Sequence, residues 1–183
     1  MKVQFYTAVS LDGFLATEND SLDWLFALGN VDGSTYPEFI AQVGALAMGA
    51  STYEWMLAHS EEVKAEAGSP WPYQQLTCIF THRTLAPVEG ANIRFVRDDV
   101  RPVFEQLRIA AGGKNVWIVG GGDLAGQFYD AGLLDEVIVQ IAPVTLGKGK
   151  PLFPRQMKSP GLTLQNVHSM GAGMVELRYS VNK

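Results

Sequence analysis

The apolar residues of this chain fall in short blocks closed by Gly, Pro, Asp or Ser, and each block has a period that predicts an element. Val3–Val9 is rich in Val, Phe, Tyr and Thr and predicts a strand, with turn chemistry at Ser10-Leu-Asp-Gly13 before Phe14–Ala16. The chain then leaves the sheet in a loop. Tyr36–Val43 predicts a short helix opened after Pro37, followed by an ALAM strand at Ala45–Met48 and by Gly49. Ser51–Leu57 predicts a second helix with Ser51 as its N-cap. Leu76–Thr81 and Ile93–Val96 predict strands. Asp98 or Asp99 can then cap a helix with Pro102 in its first turn, where Val103, Leu107, Ala110 and Ala111 share a face and Gly112-Gly113 ends the run.

Val116–Val119 is apolar throughout, as in a strand buried on both faces, and three glycines separate it from a helix over Asp123–Ala131 that sets Leu124 and Phe128 one turn apart. Glu136–Val144 predicts a further strand. Leu162–His168 and Met174–Val181 alternate, predicting a terminal antiparallel hairpin turned at Gly171 and Gly173. Strands alternate with helices early and two strands close the chain. That order predicts an α/β fold: a mostly parallel mixed sheet between two helical layers, with an antiparallel C-terminal edge. In such sheets ligands lie beyond the carboxyl ends of the strands. Gly49–Thr52, Thr81–Arg83 and Gly120–Asp123 are therefore expected to converge.

Composition narrows the classes. At 183 residues, 47% apolar and 18% charged, the sequence has the makings of one compact domain over residues 1–183 rather than a disordered chain. A formal charge of −5 argues against a broad nucleic-acid surface. No run approaches the roughly 20 apolar residues of a membrane span, and the N-terminus lacks the apolar stretch of a signal peptide, so a cytoplasmic location is expected. The one cysteine, Cys78, lies in the apolar run LTCIF and is read as core, and no spacing of His, Cys and acids suggests a metal site. The polar stretch His59–Pro72 reads as an insertion.

Three consecutive glycines at the mouth of a helix suit an anion. A helix N-terminus presents unpaired N–H groups and a partial positive charge, and a Cβ would hold a phosphate away. Gly120, Gly121 and Gly122 can thus seat a pyrophosphate, with the hydroxyls of the MGAST segment (Ser51, Thr52) as a second contact; the alternative is that they only make a tight turn. GGGDLA also satisfies G-x-G-x-x-A, but it lies late in the chain, and about 20 residues on there is no acid for a ribose hydroxyl. Thr81-His82-Arg83 offers a hydroxyl and two groups able to carry positive charge, with no carboxylate near in sequence. It reads either as a seat for the 2′-phosphate of NADP(H) or as a solvated basic turn.

Six segments in this order resemble the dihydrofolate reductase-like family, in particular the C-terminal reductase domain of riboflavin-biosynthesis deaminase-reductases and its stand-alone relatives. They are AVSLDGFLA (Ala8–Ala16), SLDW (Ser21–Trp24), MGASTYEWM (Met48–Met56), FTHR (Phe80–Arg83), VGGGDLAGQF (Val119–Phe128) and DEVIVQIAPVTLGKGKPLF (Asp135–Phe153). The resemblance implies NADPH as cofactor, hydride transfer to a small heterocyclic or similar unsaturated substrate, and frequently a homodimer. By position it implicates Gly121, Gly122, Asp123 and Leu124, with Gly49, Ser51 and Thr52 opposite, around the pyrophosphate. Ala8 and Trp24 fall to the nicotinamide half, and His82 and Arg83 to the 2′-phosphate.

Three departures from the family pattern narrow these implications. LFALG after Trp24 lacks the acid of true dihydrofolate reductases, so folate reduction is not expected. Ala50 replaces a frequent phosphate-binding Arg. Val119 stands where riboflavin-pathway reductases commonly have a Glu, which leaves 5-amino-6-(5-phosphoribosylamino)uracil as one acceptor among several. A protein that kept the fold for nucleotide binding or scaffolding and lost turnover is the rival reading. For the proton that must accompany a hydride, Asp12, Glu18, Asp20 and Asp23 lie in or beside the first loop. Asp12 suits a turn, and Asp23, beside Trp24, is the first acid to test. Lys148 and Lys150 either meet an anionic group or decorate a loop. Trp55, Met56, Trp71 and Tyr73 line the acceptor pocket or pack the core.

Overall fold

The structure is a computed structural model that describes residues 1–29, 31–61, 64, 68–97 and 99–183. Part of the His59–Pro72 insertion, and Asp98 as a helix cap, lie outside the described residues.

Among the described residues, ten strands and five α-helices follow in the order β1 (Val3–Ser10), β2 (Phe14–Ala16), α1 (Asp23–Phe26), α2 (Tyr36–Ala41), β3 (Val43–Gly49), α3 (Ala50–Ala58), β4 (Leu76–Phe80), β5 (Ile93–Val96), α4 (Val100–Ala111), β6 (Asn115–Gly120), α5 (Gly122–Asp130), β7 (Glu136–Ala142), β8 (Lys150–Pro151), β9 (Leu162–Ser169) and β10 (Val175–Val181). Eight strands make one sheet ordered β5-β4-β3-β6-β1-β7-β10-β9, and β2 and β8 form a separate antiparallel pair. β5 to β7 run parallel and the last two strands close the sheet antiparallel, as the sequence order predicts.

Alternation along the central strands builds the three layers. Val3, Phe5, Ala45, Ala47, Val116, Ile118 and Val137 share one core with Val103 and Leu107 of α4 and Leu124 and Phe128 of α5. Their sequence neighbours Tyr6, Leu46, Trp117 and Ile138 point to the other face, where Phe39 of α2 joins them, and Met48 and Ile79 pack with Tyr53 and Met56 of α3. A period of two on strands buried from both sides needs apolar residues at every position, which is why these strands read as unbroken apolar runs. Cys78 belongs to this core, and burial pushes its thiol up to about 11.

The helix ends follow local chemistry. Asp99 caps α4 by accepting the Arg101 N–H at 2.9 Å, and Gly112 ends it in the left-handed conformation at φ 59°. α4 crosses β3 so closely that a Cβ on Gly44 would stand 2.2 Å from the Ala111 carbonyl oxygen. Two boundaries differ from expectation. Gly49 rather than Ser51 caps α3, because the chain is still extended at Gly49 (φ −78°, ψ 160°) and Ser51 is already helical. α5 likewise begins at Gly122, one residue before Asp123. β7 stops at Ala142 because Pro143 has no N–H for the ladder.

Candidate active site

β3 and β6 pair side by side and both run out at glycine, so α3 and α5 start next to each other at the carboxyl edge of the sheet. Between them lies a cavity of about 380 Å³. Thr7 and Ala8 of β1 form its floor, Ser51, Thr52 and Trp55 of α3 one wall, and Val119 to Asp123 another. Leu15, Ala16, Asp20, Leu22 and Leu25 come from the first loop, and Lys150 and Pro151 from β8.

Each glycine of the turn has its own reason. A Cβ on Gly120 would come within 2.8 Å of the Thr52 hydroxyl, and one on Gly122 within 2.3 Å of the Leu152 carbonyl oxygen. Gly121 differs: a Cβ there would meet no protein atom within 4 Å. Its φ of −91° is one that any residue adopts, so neither crowding by the described residues nor a left-handed φ requires glycine at that place. What its missing side chain leaves is free space on the cavity wall at the N-terminus of a nine-residue helix. That geometry fits a diphosphate, which needs bare N–H groups and close approach.

Asp123, in the first turn of α5, is held away from such an anion. Its carboxylate accepts from Gln127 Nε2 at 2.9 Å and pairs with Arg155 at 2.8 Å. The Gln127 amide first, and then Arg155, hold its carboxyl below the usual carboxylate range. Arg155 reaches it by lying across Gly126, where a Cβ would come within 2.8 Å of the arginine stem. Leu124, the other α5 residue expected at the cofactor, is buried in the core and offers only its backbone N–H.

Other expected residues stand elsewhere. Gly49 abuts the glycine turn, its Cβ position 3.5 Å from Gly121 N, without lining the cavity itself. Trp24 packs against Ala142, Met170 and Met174, and its indole N–H is buried without a partner. Asp23 is exposed on α1 and lies outside the cavity lining; the first-loop carboxylate on the wall is Asp20. Thr81, His82 and Arg83 end β4 beyond the cavity wall. The Thr81 hydroxyl accepts the Arg83 N–H at 3.0 Å, and His82 is exposed. Arg83 is not free of carboxylates as its sequence neighbourhood implies: Glu54 of α3 takes both its terminal nitrogens, at 2.9 and 2.7 Å.

Trp55 reaches the cavity, while Met56 and Trp71 are buried in the core of that face and Tyr73 packs against it. The Trp55 ring stacks on Phe26 at 5.8 Å and on His59 at 4.1 Å, and its buried indole N–H has no acceptor among the described residues. The apolar wall residues Leu15, Leu22 and Leu25 were not singled out by sequence. Leu15 follows the SLDG turn, Leu22 is the leucine of SLDW and Leu25 comes directly after it.

Asp12 ties this rim together. It accepts from the Ser10 hydroxyl at 2.6 Å and from the backbone N–H groups of Leu146 and Gly147 at 3.1 and 2.7 Å, the turn duty its Asp-Gly sequence suggests. Among the described residues, no group of three or more His, Cys, Asp or Glu could hold a metal ion, and no helix is long and apolar enough to cross a membrane.

Comparison with known proteins agrees with this architecture. The uncharacterized protein YwjB of Bacillus subtilis (strain 168) is 31% identical over 178 residues, covering 97% of each chain. A putative riboflavin biosynthesis protein from Shewanella sp. PV-4 superposes with a TM-score of 0.80 at 23% identity over the whole of both chains. Dihydrofolate reductase from Enterococcus faecalis, solved with NADP(H), superposes at 0.60 and 15% identity, covering all of this chain and 97% of that one. The model of the RibD C-terminal domain matches residues 1–175. From β1 to the last strand, then, the chain belongs to the RibD C-terminal domain family, reductase domains on the dihydrofolate reductase-like fold.

Proposed function

We propose that the protein is an NADPH-dependent reductase that passes hydride to a small heterocyclic or similarly unsaturated acceptor. The observation that carries this reading is the bare Gly121 position, an open notch at a helix N-terminus on a cavity whose wall combines apolar side chains with the Ser51 and Thr52 hydroxyls. Family membership and the NADP(H) bound to the Enterococcus faecalis enzyme support it.

The α5 N–H groups at Gly122 and Asp123 would hold the diphosphate on one side, with Ser51 and Thr52 on the other. Bound there, the nicotinamide supplies the hydride. Leu15, Leu22, Leu25, Trp55 and Val119 keep water from the reacting face, and low polarity there strengthens every charge interaction inside. On the far side, Arg83 is the residue for the 2′-phosphate, provided that it exchanges Glu54 for the phosphate.

Fluorescence titration with NADPH and NADH tests the reading. Tight NADPH binding, then NADPH consumption with one of 5-amino-6-(5-phosphoribosylamino)uracil, dihydrofolate, other pteridines or quinones, is expected. Binding of neither nucleotide refutes it. NADPH binding without turnover on any acceptor would instead mark a nucleotide-binding protein on this fold.

A further inference from the structure

The cavity wall carries one charged pair that the phosphate notch does not use. Asp20 and Lys150 both line the cavity, carboxylate to ammonium at 3.6 Å. Both are held in place. The Asp20 N–H donates to the Thr17 carbonyl at 3.1 Å, and the Ser21 N–H to the Thr17 hydroxyl at 3.1 Å, closing a tight loop. Within it Asp20 adopts φ 61°, the left-handed conformation that Asp and Asn tolerate best among non-glycine residues. Lys150 pairs with Ala16 in the β2–β8 ribbon. The next two residues, Pro151 and Leu152, bring their carbonyl oxygens within 2.7 and 2.3 Å of the Cβ position on Gly122. The Lys150 backbone is thus fixed close to the first residue of α5. Each side chain is about half exposed, so the pair does little for folding.

We propose that Asp20 and Lys150 clamp the nicotinamide half of the cofactor, the carboxylate accepting from its ribose diol and the ammonium facing its diphosphate; this rests on the NADPH reading above. An ionised carboxylate only accepts hydrogen bonds and an ammonium only donates them. A ribose diol offers two O–H donors and the phosphate on the same ribose offers acceptors, so one nucleotide unit satisfies both members of the pair. The first loop thus brings a carboxylate to the same cavity that the glycine turn lines. Lys150 is also the one cation among the described lining residues, and Asp123 is already matched by Arg155.

Calorimetric titration of wild type, Asp20→Asn and Lys150→Met with NADPH, reduced nicotinamide mononucleotide and 2′,5′-ADP tests this. Asn keeps the left-handed backbone and the side-chain shape, so Asp20→Asn removes the charge and turns one acceptor oxygen into a donor. Each variant is expected to weaken NADPH and the mononucleotide by about tenfold or more, the effect of losing a hydrogen bond to a charged group, while 2′,5′-ADP binding stays within about twofold. Lys150→Met is also expected to flatten the salt dependence of NADPH binding. Unaltered melting temperatures show that any loss is local. Wild-type binding of NADPH that both variants retain overturns the clamp alone. Equal weakening of 2′,5′-ADP overturns it too, by moving the pair to the adenosine side. Wild type that binds no NADPH overturns the clamp and the proposed function together.

Discussion

Replacing Gly121 and Gly122 separately by Ala asks two different questions of adjacent residues. At Gly122 the new methyl would stand 2.3 Å from the Leu152 carbonyl oxygen and 2.7 Å from that of Pro151. Both atoms are backbone, so no side-chain rotation relieves the clash and β8 or α5 must shift. Overpacking of this kind costs about 1–3 kcal/mol. For a chain of this size about 2 kcal/mol corresponds to a fall in melting temperature of roughly 4–8 °C. At Gly121 the methyl meets no protein atom within 4 Å and φ is −91°, so stability is expected to change by less than about 0.5 kcal/mol, as for an ordinary surface substitution. The same methyl would occupy the notch assigned to a diphosphate oxygen. Losing one hydrogen bond to a charged group, at about 1.5–3 kcal/mol, raises the NADPH dissociation constant roughly 10- to 150-fold. Thermal melts and fluorescence titration on both variants separate the cases. Gly121→Ala with unchanged NADPH affinity would refute the phosphate seat, however strongly Gly122→Ala destabilised the fold.

The ion pair at Arg83 and the ties of Asp12 carry two further expected outcomes. Arg83→Ala is expected to cost less than about 1 kcal/mol of stability, since the pair with Glu54 is exposed, but to lower the preference for NADPH over NADH. Glu54→Gln frees the guanidinium and should raise that preference; ratios of dissociation constants unchanged in both variants would place the 2′-phosphate elsewhere. The Ser10 hydroxyl, and then the Leu146 and Gly147 N–H groups, hold the Asp12 carboxyl below the usual carboxylate range. Its contribution is therefore present above the unfolded value of about 3.9 and is lost as pH falls through the lower folded value. Asp12→Asn should melt below wild type at pH 7, with the gap closing below about pH 4; a gap that widened with acid would contradict the assignment.

What the sequence reveals and what it hides divide along a physical line. The strand order and the glycine seat were legible because they rest on unbroken apolar runs and on residues whose lack of a side chain is itself the signal. The pair β2–β8 and the helix α1 were not, since they hold three, two and four residues, too few for a period to show. The same brevity hid the cavity's first-loop wall. Asp20 and Asp23 differ little as letters, yet one sits in a left-handed turn on the cavity wall and the other is exposed on α1. Arg83 shows the opposite limit: its neighbours in sequence are uncharged or basic, yet Glu54 from a different element lies within 2.7 Å.

The place of β1 in the sheet also has a consequence for assembly. β1 lies in the middle, with Val3 against Val116 of β6 and Phe5 against Val137 of β7. Both of its edges therefore wait for residues synthesised more than a hundred positions later. Chains dominated by such distant pairings fold slowly and expose apolar strands on the way. During synthesis, the apolar run VQFYTAV is without its sheet neighbours until β6 and β7 have been made.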